Sequence, residues 1–137
     1  MRIMFVGDIN LGEYYTSFGH GPKTYLKSGN VFSEVESILS MADIVVGNLE
    51  APLTNANLDL NDPESIVLRG DPNAAEILYE AGFRVLQVAN NHTMQHGSEG
   101  FDETISVLEK NGIRPVGLKD QDVMVDRKST RLNSSHR

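Results

Sequence analysis

The 137-residue sequence contains no cysteine. A disulfide framework, a Cys-based zinc site and a thiol nucleophile are therefore all excluded. It also has no long hydrophobic run. Ile3-Met4-Phe5-Val6 follows Met1-Arg2 but stops at Gly7-Asp8, too short for a signal-peptide h-region. No stretch approaches the roughly 18 apolar residues of a membrane span. A cytoplasmic chain with no membrane segment is the expectation for the sequence as written. Basic charge is scarce: 12 Lys and Arg stand against 19 Asp and Glu, a net charge of −7, with the acids spread along the chain. A duplex nucleic-acid binder needs a basic face, so no nucleic-acid partner is expected. Several motifs are missing too. No Gly-Lys-Ser/Thr follows Gly7 to Gly12, so there is no phosphate-cradling loop. No Gly-x-Gly-x-x-Gly follows a strand, and there is no Gly-x-Ser-x-Gly nucleophile elbow.

What is present reads as one α/β domain. Hydrophobic residues make up 39% of the chain, enough for an ordinary core. Short apolar runs at Met1–Gly7, Asp43–Gly47, Phe83–Ala89 and Ile113–Val116 predict buried strands. Helical spacing of Val31, Phe32, Val35, Ile38 and Leu39 predicts a helix over 31–41. A second helix is expected from Asp71-Pro72, a cap and a first-turn proline, to Gly82. A third runs from Glu99 to Asn111 and is closed by Gly112. Leu11–Asn30 and Ala51–Ser65 read as loops, with a short strand expected at Ile66–Leu68. Alternation of strand and helix implies a mostly parallel sheet with helices on its faces.

A parallel sheet gathers its strand carboxyl ends on one rim, where ligands bind in such folds. Three strands here stop abruptly at polar residues: Gly7-Asp8-Ile9-Asn10, Gly47-Asn48-Leu49-Glu50 and Ala89-Asn90-Asn91-His92. Carboxylates and amide oxygens suit Mn, Mg or Ca, and an added imidazole extends the range to Zn or Fe. Two such ions can activate water and clamp a phosphoryl oxygen, and His92 can move a proton. Each residue also has a structural reading. Asp8 could cap a turn, Asn48 and Glu50 could be turn or surface residues, and Asn90 reads better as a left-handed turn residue than as a ligand. Asn91 and His92 favour function, because a strand-end Asn-His has few structural uses. Asn10 is a weak candidate, His96 lies in a loop or at a helix start, and His20 reads as solvated.

These motifs, in this order, resemble the bacterial CapA family of capsule-synthesis or poly-γ-glutamate-biosynthesis proteins. That family looks like a branch of the calcineurin-like metallophosphoesterases. The quoted residues are Gly7 to Gly12, Ala42 to Pro52, Ala81-Gly82-Phe83 leading to Asn90-Asn91-His92, and Gly112-Ile113 with Val116-Gly117, covering essentially 1–125. The resemblance implies the N-terminal half of a calcineurin-like α/β sandwich. By position it implies Asp8 as a metal ligand and Asn48 where the superfamily has its bridging Asp, with Glu50 as the residue to take over that role. It implies Asn91 as a ligand of the second ion and His92 as the catalytic imidazole. It further implies two divalent ions (Mn, Fe, Zn or Mg) and an anionic small-molecule or polymer substrate. Asn10 stands where the superfamily has His, a His the CapA branch also lacks. Gln95 stands where many CapA-like sequences have Asp.

The last stretch changes character. Asp126 to His136 looks like the in-frame translation of a sequencing-library adapter. The expectation is an authentic sequence ending near Val125, within a partial domain 1–125 followed by a disordered tail 126–137. The superfamily closes its metal site with histidines from the second half of the fold, and none of those lies before Val125. Weak metal binding, exposed apolar edge surface and little activity are expected of such a piece. For the longer parent three functions stand open: a metal-dependent phosphohydrolase, a non-catalytic polymer-binding or assembly component, and a metal-dependent amide hydrolase on glutamyl linkages.

Overall fold

The computed structural model describes residues 1–118. The expected boundary at Val125 and the tail 126–137 lie outside the described residues. Four strands form one sheet: β1 (Ile3–Ile9), β2 (Ile44–Leu49), β3 (Phe83–Gln87) and β4 (Arg114–Val116). They lie in the order β1-β2-β3-β4, and every pair is parallel. Five helical segments accompany them: α1 (Pro22–Tyr25), α2 (Glu36–Leu39), α3 (Pro63–Ile66), α4 (Ala74–Glu80) and α5 (Gly97–Lys110).

The core follows from two periodicities. Along β2 alternate residues Val45, Gly47 and Leu49 are buried, as a pleated strand requires. Helix α5 buries Phe101, Thr104 and Leu108 at spacings of three and four, and α4 buries Ala74, Ala75 and Leu78. These stripes meet Phe83, Leu86 and Ile113 in a single hydrophobic cluster. Gly82 and Gly112, at φ +109° and +81°, end α4 and α5 in the left-handed conformation that residues with a Cβ resist. Pro115 sits on β4, an edge strand among the described residues, where proline is tolerated.

Three expectations are corrected. The helix expected over 31–41 is only Glu36–Leu39, preceded by turns. Phe32 stacks on Phe83 at 5.6 Å between ring centres, but Val35, Ile38 and Met41 stand exposed. With half its apolar stripe finding no cover, the segment lacks the packing that would lengthen a helix. The strand expected at Ile66–Leu68 is instead the end of α3. Asp62 caps it by accepting from the Glu64 N–H, with Pro63 in the first turn. Cap chemistry outweighs the β-branched pair Ile66-Val67 there. Within the expected loop 11–30, Pro22 opens the single turn of α1. Finally, β1 is bare on one side: Ile3 and Phe5 are 51% and 75% exposed, while Met4 and Val6 pack against the core.

Candidate metal and catalytic rim

Parallel pairing places the three polar strand ends side by side. Asp8 is the register partner of Asn48, and Asn48 that of Gln87. The β1–β2 register slips between Phe5 and Asp8, so β1 carries one extra residue there. Such a bulge turns the following side chain, here Asp8, away from strict alternation.

A chain of side-chain hydrogen bonds crosses the rim. Asn48 Nδ2 donates to Asp8 Oδ1 at 2.7 Å. Asn90 Nδ2 donates to Asn48 Oδ1 at 3.1 Å and to the Leu49 carbonyl at 2.8 Å. Asn90 Oδ1 in turn accepts the His92 N–H at 3.0 Å. Thr93 closes the turn, its hydroxyl donating to the Val88 carbonyl and accepting the Asn90 N–H. Asn90 is thus the tie between β2 and the Asn91-His92 turn. It does this without the left-handed backbone expected of it, since the non-glycine residues at positive φ are Asn57 and Leu68 among the described residues.

The remaining candidates fall in different places. Asn91 is exposed, with Nδ2 3.4 Å from His92 Nε2. His92 is half-buried. Glu50 is half-buried and lines a small hollow with Pro52, Val88 and Thr93. Its N–H donates to the Ile9 carbonyl, but its carboxylate makes no side-chain hydrogen bond among the described residues. Asn10 accepts the Gly12 N–H and shapes the turn after β1. His20 and Gln95 are exposed.

In kind, this donor set fits a hard divalent cation: one carboxylate and neighbouring amide oxygens. Asp8 Oδ2 has no hydrogen-bond donor among the described residues, which leaves it open to a cation. In number the set is short. Among the described residues no three His, Asp or Glu side chains gather as a metal centre.

A second polar cluster escaped the sequence reading. Arg69 and Thr54 are fully buried, and His96 is 5% exposed. Arg69 Nε donates to the Ser65 carbonyl at 2.7 Å and Nη1 to the Thr54 carbonyl at 2.8 Å. Nη2 lies 3.2 Å from His96 Nδ1, and His96 Nε2 lies 3.2 Å from the Leu68 carbonyl. Those contacts define the tautomer: Nε2 carries the proton and Nδ1 accepts from the guanidinium. Burial, reinforced by the Arg69 charge, holds His96 below the usual imidazole pKa, so it stays neutral. Beside it Thr54 Oγ1 donates to Glu103 at 2.5 Å, and Glu103 also takes the Asn55 N–H. Glu13 is buried as well. Burial alone would raise its carboxyl, but bonds from Thr24, Gly19 and Gly21 outweigh that and lower it. The readable signal was a charged residue, Arg69, ending the apolar run Val67-Leu68.

The all-parallel sheet, with Asp8 and Asn48 near the ends of adjacent strands and His92 in the turn after β3, makes this an α/β protein, consistent with an N-terminal fragment of a calcineurin-like domain. The chain belongs to the bacterial capsule synthesis protein family PGA_cap, whose family model matches residues 2–131. It is 32% identical over 114 residues to the PGA biosynthesis protein CapA of Bacillus subtilis, covering 82% of this chain and 29% of that protein. It is 30% identical over 120 residues to the capsule biosynthesis protein CapA of Bacillus anthracis, covering 85% of this chain and 28% of that one. The chain therefore spans less than a third of the length of these curated relatives. No helix among the described residues is long and apolar enough to cross a membrane.

Proposed function

We propose that this chain supplies one wall of a divalent-metal site for hydrolysis in capsule or poly-γ-glutamate biosynthesis, acting on a phosphoester or related bond of an anionic substrate. The observation that carries the reading is the Asp8–Asn48 contact at 2.7 Å across adjacent strand ends. It sets a carboxylate beside an amide on the rim where such folds bind ligands. Asp8 would hold the ion through Oδ2, and Asn48 would join it through Oδ1 once its amide flips to turn that oxygen, in place of Nδ2, toward Asp8, with Asn91 and Glu50 reaching it by rotation of side chains that face solvent or a hollow. A bound ion would supply Lewis-acid polarisation of the ester oxygen. His92 would pass a proton to a leaving group. Asn90 positions it by holding the His92 N–H. With the Asn91 amide donating to Nε2, the imidazole proton would lie on Nδ1, the nitrogen that would give it up.

Mn²⁺ titration tests the reading on this chain. Paramagnetic broadening of amide signals around Asp8, Asn48 and Asn91 is expected at millimolar ion, and Asp8→Asn should abolish it. Broadening that is absent, or that survives in Asp8→Asn, would remove the rim as a metal site. A second reading has one observation in its favour: the amide-rich, carboxylate-poor rim suits cation-bridged holding of an acidic polymer without turnover. Metal-dependent polymer binding by the longer protein, with no hydrolysis, would select it. The same longer protein, offered phosphoester and γ-glutamyl amide substrates, separates the two hydrolytic chemistries.

A further inference from the structure

A cavity of about 190 Å³ lies beyond the rim, between α1 and α4. Its walls include Leu11, Leu26 and Ile77 on the apolar side and Lys23, Lys27 and Asp71 on the polar side. Leu11 follows β1 by two residues, so one wall continues directly from the strand that carries Asp8. The topology puts the opposite wall on the same side. A chain leaving β2 must return to the start of β3 to pair in parallel. The helix α4 that leads into Phe83 therefore begins toward the strand carboxyl ends.

The charges of this cavity are not used up internally. Among the described residues, neither lysine's ammonium group has a hydrogen-bond or close ion-pair partner. Lys23 is half-buried, and that burial, with Arg69 nearby, lowers its ammonium pKa while Asp71 opposes the shift. Asp71 is committed to the backbone, accepting the Asn73 N–H at 2.9 Å. Glu13, the other acid near Lys23, is held by three backbone N–H groups. A half-buried cation without a counterion is costly unless a ligand completes it.

We propose that this cavity is a binding subsite for a single carboxylate carried on a short aliphatic stem. Two ammonium groups against one carboxylate leave a single positive charge to be met, which suits a monoanion. Asp71 repels a phosphate dianion from the same place. The apolar wall of Leu11, Leu26 and Ile77 matches methylene groups, and a phosphate would leave that wall wet. A cavity of about 190 Å³ has room for a five-carbon monocarboxylate. Through Leu11 the subsite adjoins the rim, so it would hold an acidic substrate beside the strand ends.

The proposal does not rest on the metal reading, and its test is run in EDTA so that failure of one leaves the other standing. Pentanoate is titrated into the 137-residue chain and followed by amide chemical shifts. Saturable shifts are expected at Lys23, Lys27 and Asn73, with inorganic phosphate binding more weakly. Lys27 is exposed, so Lys27→Gln should fold normally and weaken pentanoate about fivefold, the scale of one partly screened ion pair. Lys23→Gln should weaken it further. No saturation by pentanoate, tighter binding of phosphate, or unchanged affinity in both variants would each overturn the assignment.

Discussion

At the strand ends, Asp8, Asn48 and Asn90 pass hydrogen bonds from one side chain to the next at the surface. Behind them, Arg69, His96 and Thr54 do the same in the interior. Taken by residue type, the interior set is the more tempting catalyst: a guanidinium, an imidazole, a hydroxyl and the Glu103 carboxylate lie within one cluster. Its geometry says otherwise. Every donor of that set is aimed at a backbone carbonyl or at a neighbour in the cluster, and no buried side-chain N or O lacks a partner among the described residues. The interior cluster fastens the 54–70 segment to the start of α5. The rim keeps a carboxylate oxygen and an imidazole open to solvent, and is built to meet something else.

That contrast breaks first, if it breaks, at Arg69. Arg69→Met keeps the bulk but strands the Thr54 and Ser65 carbonyls and His96 Nδ1 without a donor. Each unsatisfied buried group costs about 1–3 kcal/mol, so a loss of roughly 3 kcal/mol or more is expected in urea unfolding. A loss under about 1 kcal/mol would mean that the cluster is not structural. The surroundings give little room for repair. A Cβ on Gly12 would meet the Arg69 backbone nitrogen at 2.6 Å, and Leu68 is already held at φ +51°. For a leucine that conformation costs about 1–2 kcal/mol.

The next effect is smaller and depends on pH. Folded His96 refuses a proton that the unfolded chain binds with a pKa near 6.5, because burial and Arg69 disfavour its charged form. Its contribution to stability is therefore complete above about pH 6.5. It drains away as pH falls from there through the depressed folded pKa. Glu13 and Glu99, both also lowered, open a second window of loss below about pH 4.5. The urea midpoint should decline in two steps on acidification. His96→Gln should remove the upper step while costing about 1–3 kcal/mol at neutral pH. An upper step that persists in His96→Gln would assign it elsewhere.

The same contrast explains what could be read from the sequence. The four strands, their parallel pairing and the place of Asp8 and Asn48 near strand ends were legible because each rests on a local signal: an apolar run, a strand-stopping polar residue, a Gly82 or Gly112. The interior cluster was not legible, because Thr54, Arg69, His96 and Glu103 are spread from residue 54 to residue 103 and only packing makes them neighbours. The shortened helix at 36–39 failed for a related reason. Helical spacing reports which residues could face a core, and Val35, Ile38 and Met41 find none. Glu50 lies between these cases: its place after β2 was readable, but its orientation toward Pro52 and Thr93 was not.

The smallest effect on stability should come from His92, and that smallness is what separates the two clusters. Its ring is half-buried, and among the described residues its one side-chain polar contact is the exposed Asn91 amide at 3.4 Å. The bond that fixes the turn uses the His92 backbone N–H, which His92→Ala retains. Unfolding should shift by no more than about 0.5 kcal/mol, as for a surface substitution. In the longer protein the same change removes a positioned proton carrier, and a loss of roughly 10²–10⁴-fold in turnover is expected. Mn²⁺ broadening at Asp8 should survive, since neither the Asp8 carboxylate nor the Asn48 amide depends on the imidazole. A large stability loss in His92→Ala, comparable to that in Arg69→Met, would put the rim in the same structural class as the interior cluster. Neutral stability with collapsed turnover keeps them apart.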